Sequence, residues 1–521
     1  MNVASFLFLF FVAAVVFAYY CVPPRHRWLV LLAASIFFYC TYGIPHVAYL
    51  IISSLIIFFG ALAMQKASSQ YANESASLDK QEKKQRKEAL KKKKKKISRI
   101  AIAIVLGVWI VLKYTNFMIS NINAFLPGDG ISYVSWIMPL GISFYTFDLL
   151  GYLIDVYRDK YEAETDYLRF LTYVSFFPHI IQGPFSRYDD LGRQLKQEHR
   201  FSYDQLMEGA TRILWGFFKK LVVADKLAVM IAAIKSSYTE RPAVFLVFAF
   251  LMYSFQLYAD FTGYMDIMSG ISHILGIKLA ENFRQPYLSK TVDEFWRRWH
   301  ITLGEWFRDY VFYPLSMNSM AYKVANYARS HWGNKAAKLL PSYIALFFVW
   351  GATGLWHEAD WKYVLWGYVN MLIIMYSMQF ADTHLKIRQR LHIKEDSLFW
   401  NLFCIVRTFV LISFVRIFSG SESITAAISY LRYLFSGSLF VAVPLSELFV
   451  ELKTSEMIVI IVGIIMMIAA DIWNEKGQWN DIRQKCPMLL RNGILAMLII
   501  SIILFAGGEN DLLGGFMYAR F

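Results

Sequence analysis

The stretch FFVWGATGLWHEADWKYVLWG, residues 347–367, sets two apolar runs on either side of a short polar turn. The run before His357 has about 15 residues, or about 22 Å of helix, which is shorter than the ~30 Å of hydrocarbon in a bilayer. Gly351 and Gly354 allow a neighbouring backbone to approach closely. The stretch therefore predicts two membrane helices that meet at a recess holding His357 and its acidic neighbours.

The rest of the chain is equally apolar. Of its 521 residues, 57% are apolar, 17% are aromatic and only 18% are charged, which is more apolar than a soluble domain needs. The apolar runs are continuous, whereas a membrane barrel has short alternating segments. We expect an all-α, polytopic transmembrane helical bundle with about 11–13 crossings.

The first run has no positive n-region and is too long for a signal peptide, so we expect an uncleaved first helix. Two segments, 205–235 and 425–450, fit re-entrant or amphipathic helices better than crossings. The candidate crossings are residues 1–22, 28–44, 47–64, 100–120, 133–154, 243–258, 261–277, 342–357, 361–380, 399–418, 456–472 and 488–506.

Basic residues concentrate in one segment. Residues 65–99 hold thirteen Lys or Arg against four acidic residues, which gives +9 of the net charge of +14. Such a run is typical of a cytoplasmic loop that fixes topology, and the alternative is an anionic-lipid or nucleic-acid patch. A basic run alone carries no groove-reading element. We predict a basic cytoplasmic loop and no nucleic-acid partner.

The orientation of the chain follows from that loop. Counting crossings in both directions places the basic segments 278–340, 386–394 and 474–485 inside as well. The N-terminus, the turn after His357 and the C-terminal tail 507–521 then face outside. The predicted orientation therefore has both termini outside the cytoplasm.

A second histidine lies in FWRRWHITLGEWFRDY, residues 295–310. So many ionisable groups are too costly to cross a bilayer as a lipid-facing helix, so the stretch must lie at an interface or line a cavity. Helical spacing sets His300 as the one polar residue on an otherwise apolar stripe. A structural, hydrogen-bonded role and a site role both remain open for His300.

His357 has the chemistry for acid–base catalysis. An imidazole with a pKa near neutrality takes a proton from an attacking hydroxyl and returns it to a leaving group, and Glu358 or Asp360 would fix its tautomer. The chain has no G-x-S-x-G, H-E-x-x-H or Walker A motif, which disfavours serine esterase, zinc protease and P-loop functions. Acyl transfer needs only a base and two docked substrates. These would arrive from opposite sides of the membrane, one towards His300 and one towards His357.

Two further stretches are candidate walls of a site. FFPHIIQGPFSRYDDL, residues 176–191, is an apolar run broken by proline and glycine, which indicates either a re-entrant wall containing Gln182 or an interfacial loop. YADFTGYMDIMSG, residues 258–270, places Asp260 and Asp266 between two predicted crossings. Those carboxylates either line a pocket or cap an outer turn.

No metal site is expected, because no cluster of His, Cys and carboxylates has ligand spacing. The cysteines also lack that spacing and are interpreted as packing residues. They are Cys21, Cys40, Cys404 and Cys486.

These blocks resemble the membrane-bound O-acyltransferase (MBOAT) superfamily, and more narrowly its bacterial alginate O-acetyltransferase branch. The resemblance runs from about residue 139 to 370, in the order PLGISFYTF with YLIDVYR, FFPHIIQGP, YADFTGYMDIMSG, NFRQPYLSKTVDEFWRRWHITLGEWFRDYVFYPL and GLWHEADWKYVLWG. It implies a helical bundle around a funnel, formed by one integral membrane domain over 1–521. The catalytic core would occupy 139–370, and C-terminal transmembrane helices would occupy 400–521.

The resemblance also implies a reaction. His357 would be the catalytic histidine, and His300 would line the donor path or support the thioester. Acetyl-CoA would be the cytoplasmic donor and a substrate rather than a resident cofactor. The acceptors would be an extracytoplasmic partner acetyltransferase of hydrolase-like fold and an exported polysaccharide, at a bacterial inner or plasma membrane. The weaker candidates for the pocket are Gln182, Tyr258, Asp260, Trp296, Trp299 and Trp356.

Two rival functions remain at this stage. One is D-alanyl transfer from a carrier protein to a cell-wall polymer. The other is a proton-coupled transporter or flippase in which the histidines relay protons, and the lack of an internal repeat counts against it.

Overall fold

Helices dominate the chain, as its composition predicts. The structure is a computed structural model that describes residues 1–75, 77–128, 130–435, 439, 441–477, 487–505 and 516. Within those ranges the only β pairing is an isolated bridge between Phe283 and Trp299. The predicted all-α class is confirmed. Cys486 lies outside the described residues, and so does the tail 507–521 apart from Phe516.

Contacts divide the chain into two compact units. The first unit is Met1–Ala210 with Met268–Ala280, and the second is Thr211–Ile267 with Glu281–Phe521. The predicted core, 139–370, contributes residues to both units. The single domain over 1–521 and the funnel stay predictions.

Six helices lie within the first unit. They are α1 (Phe6–Cys21), α2 (Arg27–Cys40), α3 (Ile44–Ser75), α4 (Lys80–Asn123), α5 (Ile142–Tyr157) and α6 (Tyr167–Ser175). Two more helices have residues in both units, namely α7 (Tyr203–Phe217) and α9 (Ala243–Ile274), and α8 (Asp225–Ser236) lies between them in sequence.

The segment that follows α6 is irregular and buried. Residues 176–186 form no helix and every one of them is buried, which excludes a simple exposed loop. The segment packs along α5, where the Phe144 and Phe185 rings stack at 5.2 Å. Gly141 precedes α5 with φ +67°, and a Cβ there would lie 2.2 Å from the Ile180 carbonyl oxygen. Only glycine permits that approach.

The basic segment 65–99, predicted as a cytoplasmic loop, is largely helical. Helix α3 continues to Ser75 and α4 begins at Lys80, because Lys, Arg, Glu, Gln and Ala are good helix formers. Asp79 caps α4, and its side chain accepts from the Glu82 N–H at 2.8 Å. One lysine is buried within the run: Lys94 Nζ lies 2.5 Å from Asp159 Oδ1. The cytoplasmic location of the segment stays a prediction.

The remaining helices belong to the second unit, and α13 contains a break at Gly333 (φ 84°). They are α10 (Val292–Arg298), α11 (Ile301–Phe307), α12 (Tyr313–Ser316), α13 (Ser319–His357), α14 (Trp361–Gln379), α15 (Ala381–Arg390), α16 (Leu398–Ser419), α17 (Ile424–Leu434), α18 (Leu445–Leu448), α19 (Thr454–Glu475) and α20 (Met488–Phe505).

The number of long apolar helices is smaller than the predicted 11–13 crossings. Among the described residues, six helices are long and apolar enough to cross a membrane, namely α3, α4, α9, α13, α16 and α19. Helices α14 and α15, bent by 59°, form a seventh if they are one span. These helices confirm a multi-pass membrane protein. Part of the difference arises because two predicted crossings, 243–258 and 261–277, are one continuous helix, α9.

Because α9 is continuous, the turn predicted at residues 258–270 is absent from this described segment. Asp260 and Asp266 lie on this helix, where two buried lysines neutralise them. Lys220 Nζ lies 2.8 Å from Asp260 Oδ1, and Lys219 Nζ lies 2.5 Å from Asp266 Oδ2. Both lysines belong to a π-helical turn, Phe218–Ala224. The carboxylates are therefore ion-paired rather than caps of an outer turn.

The cysteines were expected to be packing residues, and this holds for only one of the three that the structure describes. Cys404 is buried, whereas Cys21 and Cys40 are exposed. The packing interpretation is therefore wrong for Cys21 and Cys40, which lie at or near helix ends.

Helices α13 and α14 cross at very short range. A Cβ on Gly354 would lie 2.5 Å from the Tyr363 carbonyl oxygen, and one on Gly367 would lie 2.5 Å from the Trp350 carbonyl oxygen. These contacts confirm the close approach that Gly354 predicts. Any larger residue at either position forces the two backbones apart.

We predict that Gly354→Ala lowers the melting temperature of the purified protein, because its Cβ meets backbone that cannot move aside. The loss corresponds to about 1–3 kcal/mol. Gly107→Ala is the matched control, since Gly107 has no atom within 4 Å of its Cβ position and alanine is the better helix former. Equal melting temperatures for the two variants would contradict the close crossing.

Candidate functional site

The backbone breaks at His300, so the predicted continuous helix over residues 295–310 is wrong. Trp299 is extended (φ −105°, ψ 126°) and His300 is left-handed (φ 48°, ψ 53°). Left-handed backbone costs about 1–2 kcal/mol in a residue other than glycine, so other contacts must hold it.

A neighbouring backbone segment supplies those contacts. The Arg284 N–H donates to the Arg298 carbonyl at 2.9 Å, and the Ile301 N–H donates to the Asn282 carbonyl at 2.9 Å. These hydrogen bonds between distant residues replace the helical ones. They hold His300 at the N-cap of α11, where its side chain is buried.

The tautomer of His300 follows from its partner. His300 Nδ1 lies 3.1 Å from Asn282 Oδ1, and the Thr302 N–H donates to the same oxygen at 3.2 Å. Because a backbone N–H donates to this atom of Asn282, the atom is the amide oxygen and not the amide nitrogen. The same oxygen must therefore accept a hydrogen bond from His300 Nδ1. His300 Nδ1 therefore carries the proton and Nε2 carries the lone pair. Burial lowers the pKa of His300 to about 3, so the ring is neutral at physiological pH.

His357 is the last residue of α13, and the crossing with α14 fixes its surroundings. Its ring is enclosed by aromatic side chains: Trp356 at 4.9 Å, Tyr363 at 5.9 Å and Trp366 at 5.2 Å between centroids. Only 6% of His357 is exposed. The site therefore holds an imidazole in a wall of aromatic rings.

The two acidic residues after His357 contact a lysine. Glu358 Oε2 lies 3.1 Å from Lys362 Nζ, and the Asp360 side chain accepts from the Lys362 N–H at 2.8 Å. Asp360 is the N-cap of α14. These carboxylates therefore stabilise the turn, and their predicted effect on the tautomer of His357 stays a prediction.

A cavity of about 30 Å³ adjoins His357. A water molecule needs about 10–15 Å³ of such space, so the cavity has room for about two waters or a small group. Its walls include Tyr253, Trp296, Trp299, Tyr363 and Arg416 beside His357.

The rings of His300 and His357 both contact the Trp356 indole, although His300 does not line the cavity. The Trp356 ring lies 5.9 Å from the His300 ring and 4.9 Å from the His357 ring. The structure therefore brings together three of the predicted site residues. Two more, Trp296 and Trp299, line the cavity, and Trp296 is held by an Nε1–H hydrogen bond to Asn370 Oδ1 at 3.2 Å.

Four of the six predicted pocket residues do not line this cavity. One of them is Trp356, whose ring instead contacts both histidines. The Tyr258 hydroxyl donates to Asp471 Oδ2 at 2.9 Å, and Asp260 pairs with Lys220. Gln182 belongs to the first unit, where it is fully buried and its side-chain amide has no hydrogen-bond partner among the described residues.

Sequence reasoning missed Arg416. This residue lies near the end of α16, is 3% exposed and lines the cavity. Its Nη1 donates to the Tyr287 hydroxyl at 2.5 Å, and its guanidinium lies 4.5 Å over the Trp299 ring. The signal was an arginine within the apolar run 399–418, since ionisable residues in such runs are functional candidates.

We predict that His300 makes stability depend on pH. The unfolded histidine gains a proton below its ordinary pKa of about 6.5, whereas the folded one stays neutral down to about 3. The unfolded chain therefore binds more protons, and stability falls as pH drops from 6.5 to 5, by about 2 kcal/mol. His300→Gln should remove that part of the pH dependence of the melting temperature. Parallel pH profiles for the variant and the wild type would contradict a neutral buried ring.

Comparison with known proteins gives the site a context. The model of the membrane-bound O-acyltransferase family matches residues 160–416. That range includes His300, His357, the cavity-lining tryptophans and, at its last position, Arg416.

Three relatives have names that state an activity. A probable alginate O-acetylase of Azotobacter vinelandii is 32% identical over 370 residues, 70% of this chain and 66% of the relative. A peptidoglycan O-acetyltransferase of Helicobacter pylori is 28% identical over 66% of this chain and 62% of its own. A teichoic acid D-alanyltransferase of Bacillus subtilis is 29% identical over 45% of this chain and 58% of its own. The chain thus spans less than two thirds of each relative.

Proposed function

Because this chain belongs to the membrane-bound O-acyltransferase family, we propose that it transfers an acetyl group from a thioester to a hydroxyl. The observation that carries this proposal is the buried imidazole of His357 beside a small cavity. No serine or cysteine nucleophile motif competes with it in the sequence. The chemistry therefore rests on a base and two docked substrates.

His357 acts as the general base in this proposal. It takes the proton of the acceptor hydroxyl as that oxygen attacks the thioester carbonyl carbon. The tetrahedral intermediate then expels the thiolate, which takes the proton from His357. Proton transfer of this kind contributes about 10²–10⁴-fold to the rate.

The size of the cavity supports a short acyl group. Room for about two waters suits the two carbons of an acetyl group, and a long acyl chain would not fit among the surrounding rings. Trp296, Trp299 and Tyr363 supply the apolar walls. They exclude bulk water that would hydrolyse the thioester.

The donor proposed is acetyl-CoA from the cytoplasm. The basic residues of the α3–α4 hairpin support a cytoplasmic side by the positive-inside rule, and they would attract the phosphates of CoA. The relatives act on alginate and peptidoglycan by their names, which supports an exported polysaccharide as final acceptor. We propose a bacterial cell membrane as the location and a partner acetyltransferase of hydrolase-like fold outside it.

His357→Ala should keep expression and folding but lower polymer acetylation by at least about 100-fold, because the base is lost. His331→Ala is the matched control, since His331 lies exposed on the same helix. Acetylation is measured on the exported polymer at equal protein level. Near-wild-type acetylation in the His357 variant would refute the assignment.

The exposed lysines of α4 provide a test of the donor. We predict that alanine at Lys91, Lys92, Lys93, Lys95 and Lys96 raises the KM for acetyl-CoA about 3-fold or more at low salt. Lys94 is retained because it pairs with Asp159. The difference should vanish near 1 M salt, where the Debye length is about 3 Å. Acetyl-pantetheine without the nucleotide phosphates is the control, and an unchanged KM for acetyl-CoA would defeat this role.

D-alanyl transfer from a carrier protein is the second candidate, favoured by the similarity to the D-alanyltransferase of Bacillus subtilis. Stable binding of a phosphopantetheinylated carrier protein by the purified chain, without turnover of acetyl-CoA, would support it.

A further inference from the structure

Arg416 is the one lysine or arginine among the residues that line the cavity. We propose that its guanidinium binds the carbonyl oxygen of the acyl group and makes the site selective for uncharged acyl groups over aminoacyl groups. This inference rests on the proposed acyl transfer and deepens it. It assigns Arg416 an oxyanion-stabilising and specificity role.

Arg416 differs from the other buried cations in the groups that it contacts. Four Lys or Arg side chains are buried in the described part of the chain. Three of them lie within 2.8 Å of a carboxylate oxygen: Lys94, Lys219 and Lys220. Arg416 is the only one of the four that forms no ion pair within 4.0 Å among the described residues.

The contacts that Arg416 does make are to neutral groups. Nη1 donates to the Tyr287 hydroxyl at 2.5 Å and lies 3.4 Å from the Ser254 carbonyl oxygen. The guanidinium also stacks 4.5 Å from the centroid of Trp299. A guanidinium has five N–H donors and is always charged. These contacts fix its position, and none of them, among the residues that the structure describes, is to a carboxylate.

The location of Arg416 would place its positive charge next to the reacting acyl group. Arg416 and His357 line the same cavity, with Trp299 as a shared wall. As the hydroxyl oxygen bonds to the carbonyl carbon of the thioester, the π electrons of the C=O bond move to the carbonyl oxygen and form an oxyanion. The guanidinium stabilises that charge until the C–S bond breaks and the electrons return to re-form C=O. Stabilising charge that develops only in the transition state raises kcat more than it lowers KM.

The same charge discriminates between donors. An acetyl thioester is neutral next to its carbonyl, whereas a D-alanyl thioester carries an ammonium one atom away from the carbonyl carbon. Two like charges a few ångströms apart repel strongly in a cavity with low dielectric. Arg416 therefore disfavours the aminoacyl donor that one of the relatives' names implies.

The test compares Arg416→Met and Arg416→Lys with the wild type as purified full-length chains. Each is given S-acetyl-pantetheine or S-D-alanyl-pantetheine with glycerol as a model alcohol, and released thiol is measured. Arg407→Met is the matched control, because Arg407 lies exposed on the same helix and its Nη2 donates to the Lys290 carbonyl at 2.7 Å. Melting temperatures are recorded for every variant.

We expect Arg416→Met to lower kcat for the acetyl donor about 100-fold with little change in KM. Its ratio of acetyl to D-alanyl turnover should fall about 10-fold or more. Arg416→Lys keeps the charge and should keep that ratio, even where kcat falls. The ratio is measured within one sample, so partial unfolding does not change it.

Three results would overturn the inference. Unchanged kcat and ratio in Arg416→Met would show that the guanidinium does not touch the reacting group. Loss of turnover of both donors together with a lower melting temperature in both Arg416 variants would show a structural role. No thiol release by the wild type from either donor would refute the proposed function itself, and this inference with it.

Discussion

The site depends on the close crossing of α13 and α14. At Gly354 and Gly367 each helix backbone presses against a carbonyl of the other, with no space for a Cβ. This approach sets His357, at the end of α13, against the Tyr363 and Trp366 rings of α14. The aromatic wall, the small cavity and the burial of the imidazole all follow from it. A wider crossing would leave His357 in a loose polar turn.

A second constraint is that charged groups buried in the protein need partners. Lys219 and Lys220 neutralise carboxylates on α9, so these groups stabilise the helix packing. His300 is kept neutral by burial and fixed in one tautomer by Asn282. Arg416 differs because its partners are a hydroxyl, a carbonyl and an indole ring. Arg416 also lines the cavity that His357 lines, and this shared cavity is why we propose that its guanidinium stabilises a developing negative charge.

The sequence predicts the parts of this arrangement that depend on local pattern. Apolar runs predict the long membrane helices, and Gly354 predicts the close crossing, whereas Gly351 faces the Tyr368 side chain rather than a backbone. The break at His300 was not predictable, because hydrogen bonds from residues 282–284 override the helical pattern of 295–310. The prediction that residues 243–277 form two crossings was wrong, because Asp260 was expected to lie in a turn. In the structure Asp260 lies within the helix, where Lys220 neutralises it. Arg416 was missed because an isolated arginine in an apolar run does not reveal its neighbours.

The proposed reaction requires the acyl group to reach the cavity beside His357. The most direct measurement is an experimental structure of the purified protein with a non-hydrolysable acetyl-CoA analogue in which a methylene replaces the thioester sulfur. We expect the acyl carbonyl to lie in that cavity, at about hydrogen-bond distance from the Arg416 guanidinium and facing His357. Density for the acyl end elsewhere in the protein, with the cavity closed, would contradict it.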